Sequence, residues 1–238
     1  MAGDDEKLPE KKTSRNVETF LRKVAATPVT TRAGERGRLI FALDATASRQ
    51  PTWDRAAQLQ GEMFVETANL GGLEIQLSFF RGFGEFKVSP WFHKAADLLR
   101  LMTSVFCMAG ETQIGKVLKH AVNETKRKKV NALVYVGDCL EEDVDKLGTV
   151  AGELGLLGVP VFMFQEGNDP IAEFGFKQIA KLSNGAFCHF DSSSPKILKE
   201  LLGAVAVYAA GGRLALSDLA KRRGGAVLQI AHQVNKGA

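Results

Sequence analysis

Cysteine is scarce in this sequence, which contains three in 238 residues: Cys107, Cys139 and Cys188. An odd number of cysteines without the spacing of a zinc motif excludes a regular disulfide framework and indicates free thiols in a reducing compartment. Long apolar runs are also absent, because the longest, at 201–210, is too short to cross a bilayer. Residues 1–12 are polar and charged and show no secretory or transit pattern. We therefore expect a cytoplasmic protein without membrane contact.

The body of the chain has nearly equal numbers of positive and negative side chains. Residues 1–36 carry eight Lys and Arg against six Asp and Glu, residues 209–238 carry five against one, and residues 37–208 carry 18 against 20. A nucleic-acid-binding domain would concentrate basic residues on one face of the fold. The basic run at 126–129 is typical of a solvated helix end. We expect no nucleic-acid partner, and a contact through the basic C-terminal tail at Arg222 and Arg223 remains the alternative.

Short apolar segments alternate with amphipathic ones along most of the chain. Strands are predicted at 38–43, 73–80, 85–88, 130–136, 159–164 and 186–190, and helices at 51–69, 91–105, 112–125, 144–154, 171–182 and from Pro195. This alternation predicts an α/β fold of Rossmann-like type, in which a doubly wound, mostly parallel six-stranded sheet has helices on both faces and one antiparallel edge strand.

Two tails are predicted to flank this body, which we place at 37–208. Residues 1–36 are rich in charge and poor in apolar side chains, so we expect a disordered or partly helical N-terminal tail with a short helix near 17–25. Residues 209–238 are predicted to be a basic, partly helical C-terminal appendage.

Oxygen-bearing side chains follow two of the predicted strands and precede one helix. The first strand leads to Asp44, Thr46 and Ser48, the strand at 130–136 leads to Asp138, and Thr112 stands before a helix. We call these five residues the strand-end site. In open α/β sheets the ligand crevice lies at the carboxyl ends of the strands, so we expect them to converge there. Carboxylates and hydroxyls are hard ligands that suit Mg²⁺, with Mn²⁺ or Ca²⁺ as alternatives, and Mg²⁺ would keep a coordination position for an outside carboxylate.

At these residues the sequence resembles the von Willebrand factor A (VWA) family, whose metal-ion-dependent adhesion site reads Asp-x-Ser-x-Ser, then Thr, then Asp. The resemblance covers the region between the two tails. It implies that Thr46 and Ser48 bind the ion directly, that Thr112 binds it directly or through water, and that Asp44 and Asp138 act mainly through water. It also implies a non-enzymatic module that binds an Asp or Glu of a partner protein, which in such families often belongs to an ATPase or chaperone system.

Three departures from the family pattern are visible. Thr46 replaces a Ser and keeps the hydroxyl, and Gly137-Asp138-Cys139 replaces the usual Asp-Gly. Glu111 stands where a Gly is common, and its carboxylate beside the ion would block or fill the open coordination position.

A Mg²⁺-dependent hydrolase or phosphatase that uses Asp44 as the nucleophile is the enzymatic alternative, because a strand-end aspartate beside Mg²⁺ suits phosphoryl transfer. Against it, Thr46 stands where a second carboxylate would be expected. Residues 110–116 imitate a phosphate-binding loop, but Val117 replaces its final Ser or Thr and the pattern there is helical. The four histidines show no catalytic-triad pattern, and Cys139 is interpreted as a small buried apolar residue.

Overall fold

Six strands form one sheet in the computed structural model, which describes residues 36–190 and 195–223. The strands are β1 (Gly37–Asp44), β2 (Leu73–Arg81), β3 (Glu85–Phe92), β4 (Ala132–Gly137), β5 (Val161–Glu166) and β6 (Ala186–Phe190). Their spatial order is β3-β2-β1-β4-β5-β6, and every neighbouring pair is parallel except β2 with β3. The predicted mostly parallel α/β sheet with one antiparallel edge strand is therefore confirmed.

The central strand β1 is buried on both faces. Leu39 and Phe41 belong to one apolar cluster, whereas Ile40 and Ala42 belong to a second. Because successive side chains of a strand point to opposite faces, an uninterrupted apolar strand requires cover on both sides.

Helices supply that cover. They are α1 (Gln50–Thr67), α2 (Ala95–Met102), α3 (Ile114–Arg127), α4 (Val144–Leu156), α5 (Pro170–Leu182) and α6 (Pro195–Arg223). Helices α1, α2 and α6 pack on the face of Leu39, and α3, α4 and α5 pack on the face of Ile40. Asp143 and Asp169 cap α4 and α5 by accepting backbone N–H groups of the first turn. Within the described ranges, no helix is long and apolar enough to cross a membrane.

The second strand of the hairpin is longer than the sequence predicted. We expected a strand ending at Val88 and a helix from Trp91, whereas β3 continues to Phe92 before α2 begins. Trp91 pairs with Gln76 across the strands, and its indole N–H donates to the Glu124 carboxylate at 3.0 Å. Strand pairing and this contact hold the segment extended, so they outweigh its helical spacing.

The last helix has a kink. Gly212 interrupts α6 with a φ of 76° and a ψ of −163°, which are not helical. The residues just before it remain buried up to Ala210. A Cβ on Gly37 would lie 2.3 Å from the Ala209 carbonyl oxygen, so the close approach of α6 to β1 requires a glycine. The division at 208 and 209 stays a prediction, and the helix expected near 17–25 lies outside the described residues.

The basic run at 126–129 covers the last two residues of α3 and the two residues that follow it, close to the predicted helix end. The Lys126 ammonium lies 2.7 Å from the Glu153 carboxylate, and Lys129 donates to the carbonyl oxygens of Leu157 and Gly158 at 2.6 and 2.8 Å. Lys129 thereby places a cation at the C-terminus of α4, where a positive charge is favourable.

Strand order also fixes where a ligand crevice forms. From β1 the chain crosses to β2 on one side of the sheet, whereas from β4 it crosses to β5 on the other. The connections leaving these adjacent strands therefore diverge, and the opening between them lies at the carboxyl ends of β1 and β4. Asp44 ends β1 and Asp138 follows β4, so both aspartates stand at this opening.

Candidate metal site

Asp44 is a buried residue with a hydrogen bond to only one of its two carboxylate oxygens among the described residues. It is 2% exposed, and its Oδ1 accepts the backbone N–H of Thr46 at 2.7 Å. The other oxygen, Oδ2, has no hydrogen-bond partner among the described residues. Burial raises the pKa of this carboxyl to about 6, and the nearby Asp138 adds to the rise, while hydrogen bonds from Thr46 oppose it.

The loop after β1 turns tightly and reaches the loop after β4. Residues Ala47–Arg49 form one turn of 3₁₀ helix, in which the Arg49 N–H donates to the Thr46 carbonyl at 3.0 Å. This turn directs the exposed Ser48 toward Asp138, and the Ser48 hydroxyl donates to Asp138 Oδ2 at 3.1 Å. The hydrogen bond joins the two strand ends through predicted site residues.

Asp138 resembles Asp44 in having one unpaired oxygen. Its Oδ1 is buried without a hydrogen-bond partner in the described part of the chain, although the side chain as a whole is 28% exposed. Ligand atoms of Asp44, Asp138 and Cys139 all lie within 4.8 Å of one another. The carboxylates predicted to converge therefore do so, with a thiol beside them.

Thr112 is connected to the loop after β4. Its backbone N–H donates to Glu141 Oε2 at 2.8 Å, and its hydroxyl oxygen accepts the Glu141 N–H at 3.1 Å. The residue is 5% exposed and precedes α3, which begins at Ile114 and not at Thr112 as expected. Thr112 is thus held against the segment that carries Asp138, and its role as an ion ligand stays a prediction.

Two charged residues near the aspartates were not identified from the sequence. Arg49 is 3% exposed and forms an ion pair with Glu166, and its Nη1 lies 3.7 Å from Asp138 Oδ2. Thr52 donates its hydroxyl to the same Glu166 carboxylate. Glu166 ends β5, so the strand-end rule that selected Asp44 would have found it as well.

The segment at 110–116, which resembles a phosphate-binding loop, binds the carboxylate of Glu142. The backbone N–H groups of Ile114 and Gly115 both donate to the Glu142 side chain, the second at 2.9 Å. An acidic side chain therefore occupies the helix N-terminus where a phosphate would bind. Val117 is buried within α3, which agrees with the helical interpretation of this segment.

The cysteines are not activated nucleophiles. Burial raises the pKa of the Cys139 thiol to about 12, with further contributions from Asp138 and Asp44. Burial also raises the pKa of Cys107 to about 11 and of Cys188 to about 12. Reactive cysteines require a lowered pKa, so none of the three thiols has the shift of an activated nucleophile.

Comparison with known proteins identifies the fold. The sequence matches no model of a protein family and no curated protein sequence. Among solved structures, the VWA domain of SpRpn10 superposes with a TM-score of 0.54 at 14% identity, covering 71% of this chain and 94% of that one. Proximal thread matrix protein 1 from the mussel byssus has a zinc-occupied MIDAS motif, that is, a metal-ion-dependent adhesion site. It superposes with a TM-score of 0.55 at 16% identity, covering 75% of this chain and 48% of that one. A mutant of the PilB minor pilin from Streptococcus sanguinis superposes with a TM-score of 0.59 at 9% identity, covering 84% of this chain and 65% of that one.

These similarities show that the chain has a VWA-type fold, as the sequence resemblance implied. The fold alone assigns no ligand, so the metal hypothesis depends on the side chains of this chain. Two carboxylates at the ends of different strands, each with a buried unpaired oxygen, fit a cation, because a buried carboxylate without a partner is costly.

Proposed function

We propose that the strand-end site binds one divalent cation and uses it to bind a carboxylate of a partner protein. The ligands would be Asp44, Thr46, Ser48, Thr112 and Asp138, with Mg²⁺ as the ion and Mn²⁺ or Ca²⁺ as alternatives. The observation that carries the proposal is the pair of buried, unpaired oxygens, Asp44 Oδ2 and Asp138 Oδ1, at the strand-order switch of a VWA-type sheet.

A cation would relieve the unfavourable electrostatics of this pair. Two neighbouring carboxylates repel each other, and the pKa of Asp44 is about 6, well above its usual 3.8, chiefly because the group is buried. A divalent ion reverses that effect by favouring both ionised forms. Since Asp138 is 28% exposed, an ion bound there would stay accessible from solvent.

Exposed apolar side chains beside the strand-end site support a protein partner. Phe106 is 71% exposed and Met108 is 49% exposed, and the Met108 N–H donates to the Ala45 carbonyl of the loop after β1 at 3.0 Å. Phe83, in the β2–β3 hairpin, is 85% exposed. Exposed apolar groups close to a polar site are typical of protein-binding surfaces.

The comparisons agree with this proposal at a coarser level. One solved neighbour has a zinc-occupied MIDAS motif, and another is a VWA domain of SpRpn10. For this chain we infer a non-enzymatic role in the cytoplasm, with a partner from an ATPase or chaperone system. The partner is defined here by its chemistry, which is an accessible Asp or Glu.

Calorimetric titration with Mg²⁺ and Mn²⁺ tests the metal site. Wild type is expected to bind one ion, Asp44→Asn to lose binding, and Thr112→Val to bind more weakly because it loses only a hydroxyl. Asp145→Asn is the matched control, since Asp145 is an exposed aspartate in the first turn of α4. Equal heats in wild type and Asp44→Asn would refute the proposed metal site.

The open coordination position is tested by water proton relaxation of the Mn²⁺-loaded protein. Bound Mn²⁺ speeds the relaxation of solvent water protons when it holds water molecules that exchange with the solvent. A carboxylate that replaces one of these water molecules lowers the relaxation rate. A short glutamate-containing peptide should lower it, whereas the same peptide with glutamine should not. If neither peptide has an effect, the proposed mode of partner binding is wrong.

The alternative functions give different results in simple assays. Hydrolysis of p-nitrophenyl phosphate that requires Mg²⁺ and is lost in Asp44→Asn would favour the hydrolase. Binding to a nucleic acid would weaken steeply with salt and persist in chelator, whereas the proposed carboxylate binding should disappear with chelator.

A further inference from the structure

Cys139 places a thiol within the acidic strand-end region. Its Sγ and the nearest carboxylate oxygens of Asp44 and Asp138 all lie within 4.8 Å of one another, and the residue is half-buried. The sequence predicts a packing role for Cys139, but a packing residue would not place its sulfur beside two carboxylates.

A second observation indicates that this arrangement is prepared for a ligand. Asp44 is 2% exposed and its Oδ2 has no hydrogen-bond partner in the described ranges. Asp138 Oδ1 is likewise buried and unpaired. Both carboxylates that lie close to the sulfur therefore have one oxygen that no described group satisfies.

Metal-ligand chemistry distinguishes this trio from the five oxygen ligands of the strand-end site. Zn²⁺ bonds thiolate sulfur at about 2.3 Å and carboxylate oxygen at about 2.1 Å, which places tetrahedral ligands roughly 3.5 Å apart. The observed limit of 4.8 Å exceeds this spacing by at most about 1.3 Å, which side-chain rotation can remove. Mg²⁺ and Ca²⁺ prefer oxygen ligands and gain nothing from the sulfur.

We propose that Cys139 is a metal ligand through which the strand-end site also binds a thiophilic divalent ion, Zn²⁺ or Co²⁺, in addition to Mg²⁺. This inference rests on the proposed metal site and names a second class of ion that the site accepts. When such an ion binds, the S–H bond breaks, the proton passes to solvent and a metal–sulfur bond forms. No oxidant or reductant is needed.

Cobalt substitution of the full-length protein provides a direct test. Thiolate bound to Co²⁺ gives an intense charge-transfer band in the near ultraviolet, which oxygen ligands do not give. Wild type and Cys107→Ser should show the band, whereas Cys139→Ser should lack it. Cys107 is the matched control because it is also half-buried and lies close enough to Asp44 to be affected by its charge.

Competition titrations measure what the sulfur contributes to Zn²⁺ binding. Cys139→Ser should lose at least about tenfold in Zn²⁺ affinity, since sulfur ligands select Zn²⁺ over hard cations, while its Mn²⁺ affinity should stay unchanged. The unchanged Mn²⁺ affinity also shows that the variant is folded. A band that persists in Cys139→Ser, or the same ratio of Zn²⁺ to Mg²⁺ affinity in both proteins, would overturn the assignment.

The two proposals fail in different ways. If wild type binds Mn²⁺ but gives no charge-transfer band with Co²⁺, the role of Cys139 is wrong and the metal site stands. If wild type binds none of Mg²⁺, Mn²⁺, Zn²⁺ and Co²⁺, both are wrong.

Discussion

Replacing Arg49 with Gln should tighten binding of a divalent ion. Arg49 is 3% exposed, and its Nη1 lies 3.7 Å from Asp138 Oδ2 while the guanidinium is paired with Glu166. The three carboxylates of Asp44, Asp138 and Glu166 and this one guanidinium together have a formal charge of −2, which a divalent ion would neutralise. Removing the positive charge leaves −3, so the attraction for a cation increases.

The magnitude follows from Coulomb's law. An ion bound to Asp138 would lie about 5.5 Å from the guanidinium, given the 3.7 Å separation of Arg49 and Asp138 and metal–oxygen distances of about 2.1 Å. Repulsion between a double and a single charge at that distance is about 1.5 kcal/mol at the dielectric constant of water and about 6 kcal/mol at a dielectric constant of 20. Because Asp138 is 28% exposed, the lower figure is the better guide. It corresponds to about a tenfold lower Kd.

Calorimetry with Mn²⁺ at low ionic strength is the assay, and two variants act as controls. Arg49→Lys keeps the charge and should bind Mn²⁺ about as wild type does. The double variant Arg49→Gln with Glu166→Gln restores the formal charge of −2, so its Kd should return close to the wild-type value. Raising the salt concentration should reduce all of these differences.

If Arg49 has a purely structural role, Arg49→Gln should bind Mn²⁺ more weakly than wild type. If the ion pair with Glu166 only holds the loop after β1 in place, Arg49→Gln would loosen that loop and weaken Mn²⁺ binding. A Kd for Arg49→Gln that equals or exceeds the wild-type value, in a protein that unfolds at the normal temperature, would refute the electrostatic argument.

Three further predictions concern stability. The pKa of Asp44 is raised from 3.8 to about 6, so in chelator its stabilising contribution is complete below about pH 4 and is lost as the pH rises through 6. Asp44→Asn should remove that loss and raise the free energy of unfolding at pH 7.5 by up to roughly 3 kcal/mol, as measured by urea titration across pH. The Tyr135 hydroxyl is buried without a hydrogen-bond partner in the described residues, so Tyr135→Phe should be neutral or stabilise the protein by about 1 kcal/mol in urea unfolding. Gly110→Ala should destabilise it by about 1–3 kcal/mol, because the new Cβ would lie 2.2 Å from the Gly82 carbonyl oxygen, whereas Gly152→Ala, with open space inside α4, should raise Tm.

The sheet and the two aspartates were predictable from the sequence because both depend on local pattern. Apolar runs such as 38–43 mark buried strands, and parallel strands bring their carboxyl ends to one edge. Asp44 and Asp138 therefore had to approach each other once β1 and β4 were neighbours. The hydrogen bond from Ser48 to Asp138 follows from the same convergence.

Arg49 could not be predicted in this way. An arginine that follows a polar loop normally lies in solvent, and only the carboxylate of Glu166 from a distant strand allows its burial. The extension of β3 to Phe92 was missed for a related reason, since the partners of Trp91 lie on β2 and α3. In both cases contacts between distant segments determine the structure, and a periodic pattern in one segment does not contain them.

Metal binding should also be coupled to the stability of the fold. Without an ion, the Asp44 carboxylate is buried with one unpaired oxygen, and its raised pKa shows that ionisation opposes folding at neutral pH. The unfolded chain does not hold Asp44 and Asp138 together, so an ion binds the native state selectively and stabilises it by about 2.7 kcal/mol at a concentration of 100 times Kd. Wild-type Tm at pH 7.5 should therefore rise by several degrees with Mg²⁺ or Mn²⁺ and return to its starting value with chelator. Asp44→Asn should have a higher Tm than wild type in chelator, because it removes the buried charge. Its Tm should not rise with Mg²⁺ or Mn²⁺, because the substitution also removes a metal ligand. If the Tm of Asp44→Asn rose with the ion as much as that of wild type, the cation would bind elsewhere on the protein.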